Sequence, residues 1–331
     1  MKLANIFCDN MVFQAEKPIR FFGEGCGTVE ITLKNNTYKE SFFGDSWKME
    51  LPPQPYGGVF EILVRLQDEC IVLKNIAFGD VFLCAGQSNM QFSIGEENGA
   101  METKDDTYIR YIVSNQMKKA GEGQSGSWMI CKAGEVSCWS ALGLHIAQYY
   151  RKKKDVYVGI IGCFQGASVI RSWLPNRALD ESVYVPMEER HADNWHEEYG
   201  LWNDDSFLYQ RKFLPIVPYT MKGIIWYQGE SNTTISESKV YTELLARLIS
   251  SWREDLSDPE LPFVVVEICD FDGRNDEGWK AIQYCQQKIV NYCKNVKTVM
   301  SKDVCESKNI HPENKEKLAE KLSAVLSDFY L

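Results

Sequence analysis

The sequence predicts an α/β protein: a parallel sheet covered by helices on both faces, preceded by a small module of antiparallel strands. Three observations carry that prediction. Up to about residue 76, apolar and polar side chains alternate with period two, as they do in half-buried strands. Beyond Asp80, short unbroken apolar runs replace the alternation, the mark of strands buried on both faces. Helical stripes separate most of those runs, and strands alternating with helices build parallel sheets.

In the first unit, residues 1–76, Val29, Ile31 and Leu33 share one face, as do Trp47, Met49 and Leu51, then Phe60, Ile62, Val64 and Leu66. Pro52-Pro53 and Tyr56-Gly57-Gly58 supply turn residues between them. The unit reads as a small sandwich or half-barrel. The second unit, residues 77–331, has buried strands expected at Val81–Ala85, Val156–Ile161, Gly223–Tyr227, Phe263–Ile268 and Val296–Met300, with a weaker one at Tyr108–Val113. Leu142, Ile146, Tyr149 and Tyr150 form one helical stripe. Tyr241, Leu244, Leu245, Leu248, Ile249 and Trp252 form a second, and Ile282, Cys285, Ile289 and Tyr292 a third. A last helix is expected to begin at Pro312, a favoured first-turn residue, and to turn Leu318, Leu322, Val325 and Leu326 inward. Right-handed crossovers then gather the important strand ends on one edge of the sheet. The polar, aromatic-rich stretch from about Pro175 to Asn203 fits this scheme poorly and reads as an excursion over that edge.

Composition narrows the function classes. The chain has 331 residues, 44% of them hydrophobic and 25% charged, the profile of an ordinary globular protein. A net charge of −10 argues against nucleic acid as a partner. No apolar run approaches the ~20 residues that span a bilayer, so no membrane association is expected. No signal peptide is visible at the N-terminus. The eleven cysteines include no Cys-x-x-Cys pair and read mostly as small buried hydrophobes in a reducing compartment. A cytoplasmic location is the resulting expectation.

Four strand ends carry residues suited to chemistry. Asp80-Val81-Phe82-Leu83-Cys84-Ala85-Gly86-Gln87-Ser88-Asn89-Met90 runs from a buried strand into a glycine and then a serine. Ligands in open α/β sheets bind beyond such carboxyl ends, which makes Ser88 the candidate nucleophile. Gly166 follows the next strong strand, Gln228-Gly229-Glu230-Ser231-Asn232 follows another, and Ile310-His311-Pro312 lies between the last strand and the last helix. Together they supply what acyl transfer needs. His311 takes the serine proton. The Ser88 and Gly166 N–H groups and the Asn232 amide serve the oxyanion.

These blocks resemble those of SGNH-type hydrolases, specifically the sialate O-acetylesterase-like carbohydrate esterase family. The resemblance rests on Gly86-Gln87-Ser88-Asn89-Met90, Gly166, Trp226-Tyr227-Gln228-Gly229-Glu230-Ser231-Asn232 and Ile310-His311-Pro312. It extends to the first unit through Asn10-Met11-Val12-Phe13-Gln14 and the Gly57-Gly58 turn. It implies a three-layer α/β/α, flavodoxin-like catalytic domain and an esterase that removes acetyl groups from sugar hydroxyls through a serine acyl-enzyme. The implied partner is a small acetylated sugar or oligosaccharide: O-acetylated sialic acid or, alternatively, acetylated plant polysaccharide such as xylan. No metal or organic cofactor is expected. A catalytically weak carbohydrate-binding protein and a lipase-like esterase are the alternatives of other kinds.

The chain departs from the family pattern in two ways. It looks like a compact version beside larger relatives, which carry extra modules. It also has Lys308 where many SGNH enzymes place an aspartate that orients the histidine. A neutral imidazole needs its N–H fixed to select the productive tautomer, and Asp303, Glu306 or a backbone carbonyl near Lys308 are the replacements. Gln87, Gln228, Glu230 and Arg171 are substrate-binding candidates, although Glu230 also suits a loop brace and Arg171 a structural salt bridge. Plainer roles stand beside the catalytic ones: a helix cap for Ser88 or Asn232, a turn for Gly166, a helix entry for His311. His191 and His196, with Asp193 between them, have the wrong spacing for a metal site on one helical face. Trp195, Tyr199 and Trp202 either stack on a sugar or pack the excursion down.

Overall fold

The computed structural model describes residues 1–67, 69–99, 103–115, 126–190, 201–274 and 276–329. The first unit contains β1 (Lys2–Leu3), β2 (Val12–Gln14), β3 (Ile19–Glu24), β4 (Gly27–Leu33), β5 (Asn36–Phe42), β6 (Ser46–Leu51) and β7 (Gly57–Leu66). Strands β1, β3 and β6 form an antiparallel sheet, and β5, β4 and β7 pair antiparallel in a second. The alternation does what it predicts in β6: Trp47, Met49 and Leu51 are buried while Ser46, Lys48 and Glu50 face out.

The two units share a strand. β8 (Glu69–Gly86) pairs antiparallel with β7 along its first half and parallel with the central sheet along its second. Its side chains are buried without interruption from Ile76 onward, so the expected boundary at residues 76/77 falls inside the strand, where alternation ends. Asp80 fastens this crossing. Its carboxylate accepts hydrogen bonds from Tyr56 Oη (2.8 Å), Lys222 Nζ (2.7 Å), Tyr150 Oη (2.8 Å) and Gln14 Nε2 (3.2 Å). Four partners from separate segments satisfy a buried carboxylate that would otherwise be costly to desolvate.

The remaining strands are β9 (Asp106–Val113), β10 (Met129–Cys131), β11 (Val158–Phe164), β12 (Gly223–Tyr227), β13 (Phe263–Val266) and β14 (Val296–Val299). They lie in the order β10-β9-β11-β8-β12-β13-β14, with every neighbouring pair parallel except β10 with β9. Between β11 and β14 this is the flavodoxin-like order, in which the chain leaves β8 on one side and returns on the other. The helices are the one-turn α1 (Ser88–Gln91), α2 (Ala141–Lys153), α3 (Ile235–Asp255), α4 (Glu277–Lys288) and α5 (Glu316–Phe329). α2 packs against α5 and α3 against α4. Right-handed crossovers assign these pairs to opposite faces of the sheet. Ser140, Thr234 and Asp276 cap the helices that follow them by accepting from the amides of Gly143, Glu237 and Trp279.

Two expectations are corrected. The last helix begins at Glu316, not Pro312, because side chains satisfy the intervening amides: Glu306 takes Glu313 N, Glu97 takes Lys315 N and Asn314 takes Glu316 N. Trp202 is buried, so it packs the excursion down and presents no sugar platform. His191, Asp193, Trp195, His196 and Tyr199 lie outside the described residues.

Candidate active site

The strand order brings Ser88, Gly166 and Asn232 to one edge because each follows the carboxyl end of one of three adjacent strands, β8, β11 and β12. The turn after β8 requires a glycine: Gly86 has φ +138°, and a Cβ there would lie 2.0 Å from Tyr227 O. Ser88 then opens α1. The cap position before it is Gln87, and no side chain caps the helix, so the serine hydroxyl is free for other work. Its Oγ lies 2.8 Å from His311 Nε2, within hydrogen-bond reach of a general base.

His311 arrives on the loop between β14 and α5, and two devices hold that loop. Glu306 accepts the Lys308, Asn309 and Glu313 amides. Asn89, the residue after the serine, donates Nδ2 to Ile310 O at 2.9 Å, so α1 grips the backbone next to the histidine. Burial pushes the His311 imidazolium below the ordinary histidine range, Lys315 adds to the shift, and Glu96 opposes it. A neutral imidazole is the form that accepts the serine proton.

Neither acid proposed to orient His311 reaches it. Asp303 is held by Lys321 Nζ at 2.8 Å from both carboxylate oxygens, on the exposed side of the loop. Glu306 is occupied by the amides just named. Among the described residues no carbonyl or side chain accepts from His311 Nδ1.

Asn89 also links two buried ionisable groups. Its Nδ2 donates to Glu230 Oε1 at 2.6 Å, and its Oδ1 accepts from Lys315 Nζ at 2.7 Å. Burial raises the carboxyl pKa of Glu230 and lowers that of the Lys315 ammonium, the directions expected where the charged form is poorly solvated.

The oxyanion candidates differ in their present engagements. Ser88 N–H has no acceptor among the described residues. Asn232 is buried, donates Nδ2 to Glu237 Oε1 at 2.9 Å, and accepts at Oδ1 from Ile170 N and Gln228 Nε2. Among the described residues that leaves one Nδ2 hydrogen uncommitted. Gly166 lies against the nucleophile, where a Cβ would sit 3.6 Å from Ser88 Cβ. Its N–H donates to Gln91 Oε1 at 2.7 Å.

The substrate-binding candidates are built into the frame. Gln87 Oε1 accepts from Gly229 N and Ser231 N, tying the first block to the third. Gln228 bonds Ser168 O, Asn232 and Tyr241, and Glu230 is the brace under Asn89. Arg171 forms a two-point pair with Asp205, at 2.8 and 2.5 Å, and donates to Val183 O at 2.8 Å. It is the structural salt bridge, not a free guanidinium awaiting a carboxylate. Sequence reasoning missed Lys315 and Gln91. Lys315 follows His311 by four residues and shows no sign of inward charge; Gln91 follows Ser88 by three, and that helical spacing was the available signal.

The model of the family described as carbohydrate esterase, sialic acid-specific acetylesterase, matches residues 78–326. Mouse sialate O-acetylesterase is 25% identical, with 96% of this chain and 71% of that protein covered. Human sialate O-acetylesterase is 25% identical, with 97% and 69% covered. The crystal structure of a carbohydrate acetylesterase from Xanthomonas citri superposes with a TM-score of 0.84 at 23% identity, covering 98% of this chain and 74% of that one. That likeness is one of fold, and it agrees with the SGNH-type α/β/α arrangement expected from the sequence. With the family match running through the whole α/β sheet and the loops that carry Ser88 and His311, the chain belongs to the sialic acid-specific acetylesterase family of carbohydrate esterases.

Proposed function

We propose that this protein removes acetyl groups from sugar hydroxyls, with O-acetylated sialic acid as the preferred substrate, through a serine acyl-enzyme. The observation that carries the mechanism is the 2.8 Å approach of Ser88 Oγ to His311 Nε2. Family membership and the sialate O-acetylesterases of mouse and human support the substrate class.

His311 takes the Ser88 proton as Oγ attacks the acetyl carbonyl. The negative charge forming on the carbonyl oxygen is met by the Ser88 N–H, the Gly166 N–H and the free Asn232 Nδ2 hydrogen. The C–O bond to the sugar breaks, and His311 returns the proton to the departing alkoxide. Water, deprotonated by the same imidazole, then releases acetate and restores the serine. With no acceptor for Nδ1 among the described residues, the ring is positioned through its backbone: Asn89 on Ile310 O and Glu306 on the preceding amides.

The test is acetate release from O-acetylated sialic acid, from acetyl-xylooligosaccharides and from a chromogenic acetyl ester. The sialate ester should be hydrolysed fastest, and Ser88→Ala should lower turnover by at least ~10⁴-fold. Full activity in Ser88→Ala would overturn the mechanism, and a preference for the xylooligosaccharide would overturn the substrate assignment.

A further inference from the structure

One contact at the nucleophile has no role in the mechanism above. Gln91 Oε1 accepts the Gly166 N–H at 2.7 Å, and this amide is one of the three donors assigned to the oxyanion. A Cβ built on Gly166 would lie 3.4 Å from Gln91 Oε1 and 3.6 Å from Ser88 Cβ, so the glutamine oxygen, Gly166 and the nucleophile share one small space. The acceptor is a planar amide carbonyl, chemically close to the ester carbonyl that must use the same donor.

We infer that Gln91 is a latch on the oxyanion site: its side-chain carbonyl holds the Gly166 N–H in the free enzyme, and the acetyl carbonyl of the substrate must displace it. This rests on the oxyanion role given to Gly166 above. The latch is built to open. Gln91 is on the exposed side of α1, this bond is the one its side chain makes among the described residues, and its stem carries rotatable bonds that let the amide swing into water. Because Ser88 and Gln91 are three residues apart on one helical turn, the latch moves without moving the nucleophile.

The kinetic consequence is specific. A competing internal acceptor lowers the fraction of free enzyme ready for substrate, which raises KM by the reciprocal of that fraction. It leaves kcat unchanged, since the latch is already open in the bound complex. One ordinary neutral hydrogen bond corresponds to a factor of about five.

Gln91→Ala and Gln91→Met both remove the acceptor, and Met keeps the length of the stem. With a neutral chromogenic acetyl ester, both variants should show KM about fivefold lower and kcat within about twofold of the parent. The Gly166 amide proton, followed by NMR, should move upfield as its short bond is lost. A KM that stays put, or an unmoved Gly166 resonance, overturns the latch. A ~100- to 1000-fold fall in kcat overturns it in another way, because Gln91 would then be donating its own N–H to the oxyanion. Absence of acetyl-ester turnover in the unmodified protein would instead sink the esterase reading itself, and the latch with it.

Discussion

Asn89→Ala is the substitution that asks most of this structure. The Asn89 side chain makes three hydrogen bonds, two buried and one part-buried: to Glu230 Oε1 at 2.6 Å, from Lys315 Nζ at 2.7 Å and to Ile310 O at 2.9 Å. Two of them involve ionisable groups, worth about 1.5–3 kcal/mol each, and the third is an ordinary bond of about 1 kcal/mol. Removing all three leaves Lys315 and Glu230 buried with weaker compensation. The expected loss of stability is about 3–5 kcal/mol, the range for breaking a buried charged network, read by urea denaturation. The expected effect on catalysis is separate. Asn89 holds the backbone beside His311, and a displacement of about 1 Å costs on the order of 100-fold in rate. At a temperature where the variant is folded, kcat on a chromogenic acetyl ester should fall by about that factor with KM little changed. Asn89→Asp should be intermediate in stability, since it keeps an acceptor for Lys315 and loses both donors. A variant within ~1 kcal/mol of the parent and within about threefold in kcat would refute the idea that Asn89 joins the serine helix to the histidine loop.

Four further outcomes follow from the same geometry. The neutral form of His311 is the base, its fraction rises with pH through the pKa, and burial and Lys315 hold that pKa below the usual ~6.5; kcat/KM should therefore be flat at neutral pH and fall only in acid. Glu96 opposes the shift, so Glu96→Gln should move the acid limb to still lower pH, and an upward move would contradict the assignment. Asp303→Asn should leave kcat/KM and its pH profile unchanged, because that carboxylate serves Lys321; a tenfold loss would return Asp303 to the site. Arg171→Met should cost about 1–3 kcal/mol of stability, since Asp205 remains partly exposed. Its ratio of rates on sialate and neutral sugar acetates should stay constant, and a selective loss on sialate would place Arg171 in substrate binding.

The sequence by itself determined the elements and the family. Strand runs such as Val81–Ala85 and Gly223–Tyr227 are legible because burial on both faces is written in consecutive apolar residues, and helix α3 because its apolar stripe repeats with the helical period. The four blocks at strand ends identified the family resemblance, and the rule of right-handed crossovers makes their convergence on one edge foreseeable. What lay beyond reach was the choice of partner for each polar side chain. Asn89 meets Glu230 across 141 positions and Lys315 across 226, distances over which residue type and spacing say nothing about hydrogen-bond geometry. The same limit explains Arg171, whose salt bridge with Asp205 depends on how the excursion folds back. It explains His311 as well: three orienting groups suited the sequence, and the structure directs Asp303 and Glu306 elsewhere. Only the tertiary structure decided that Ser88 and His311 lie 2.8 Å apart and that Gln91 rests on the amide of Gly166, because both depend on where side chains from different loops end once the backbone has closed.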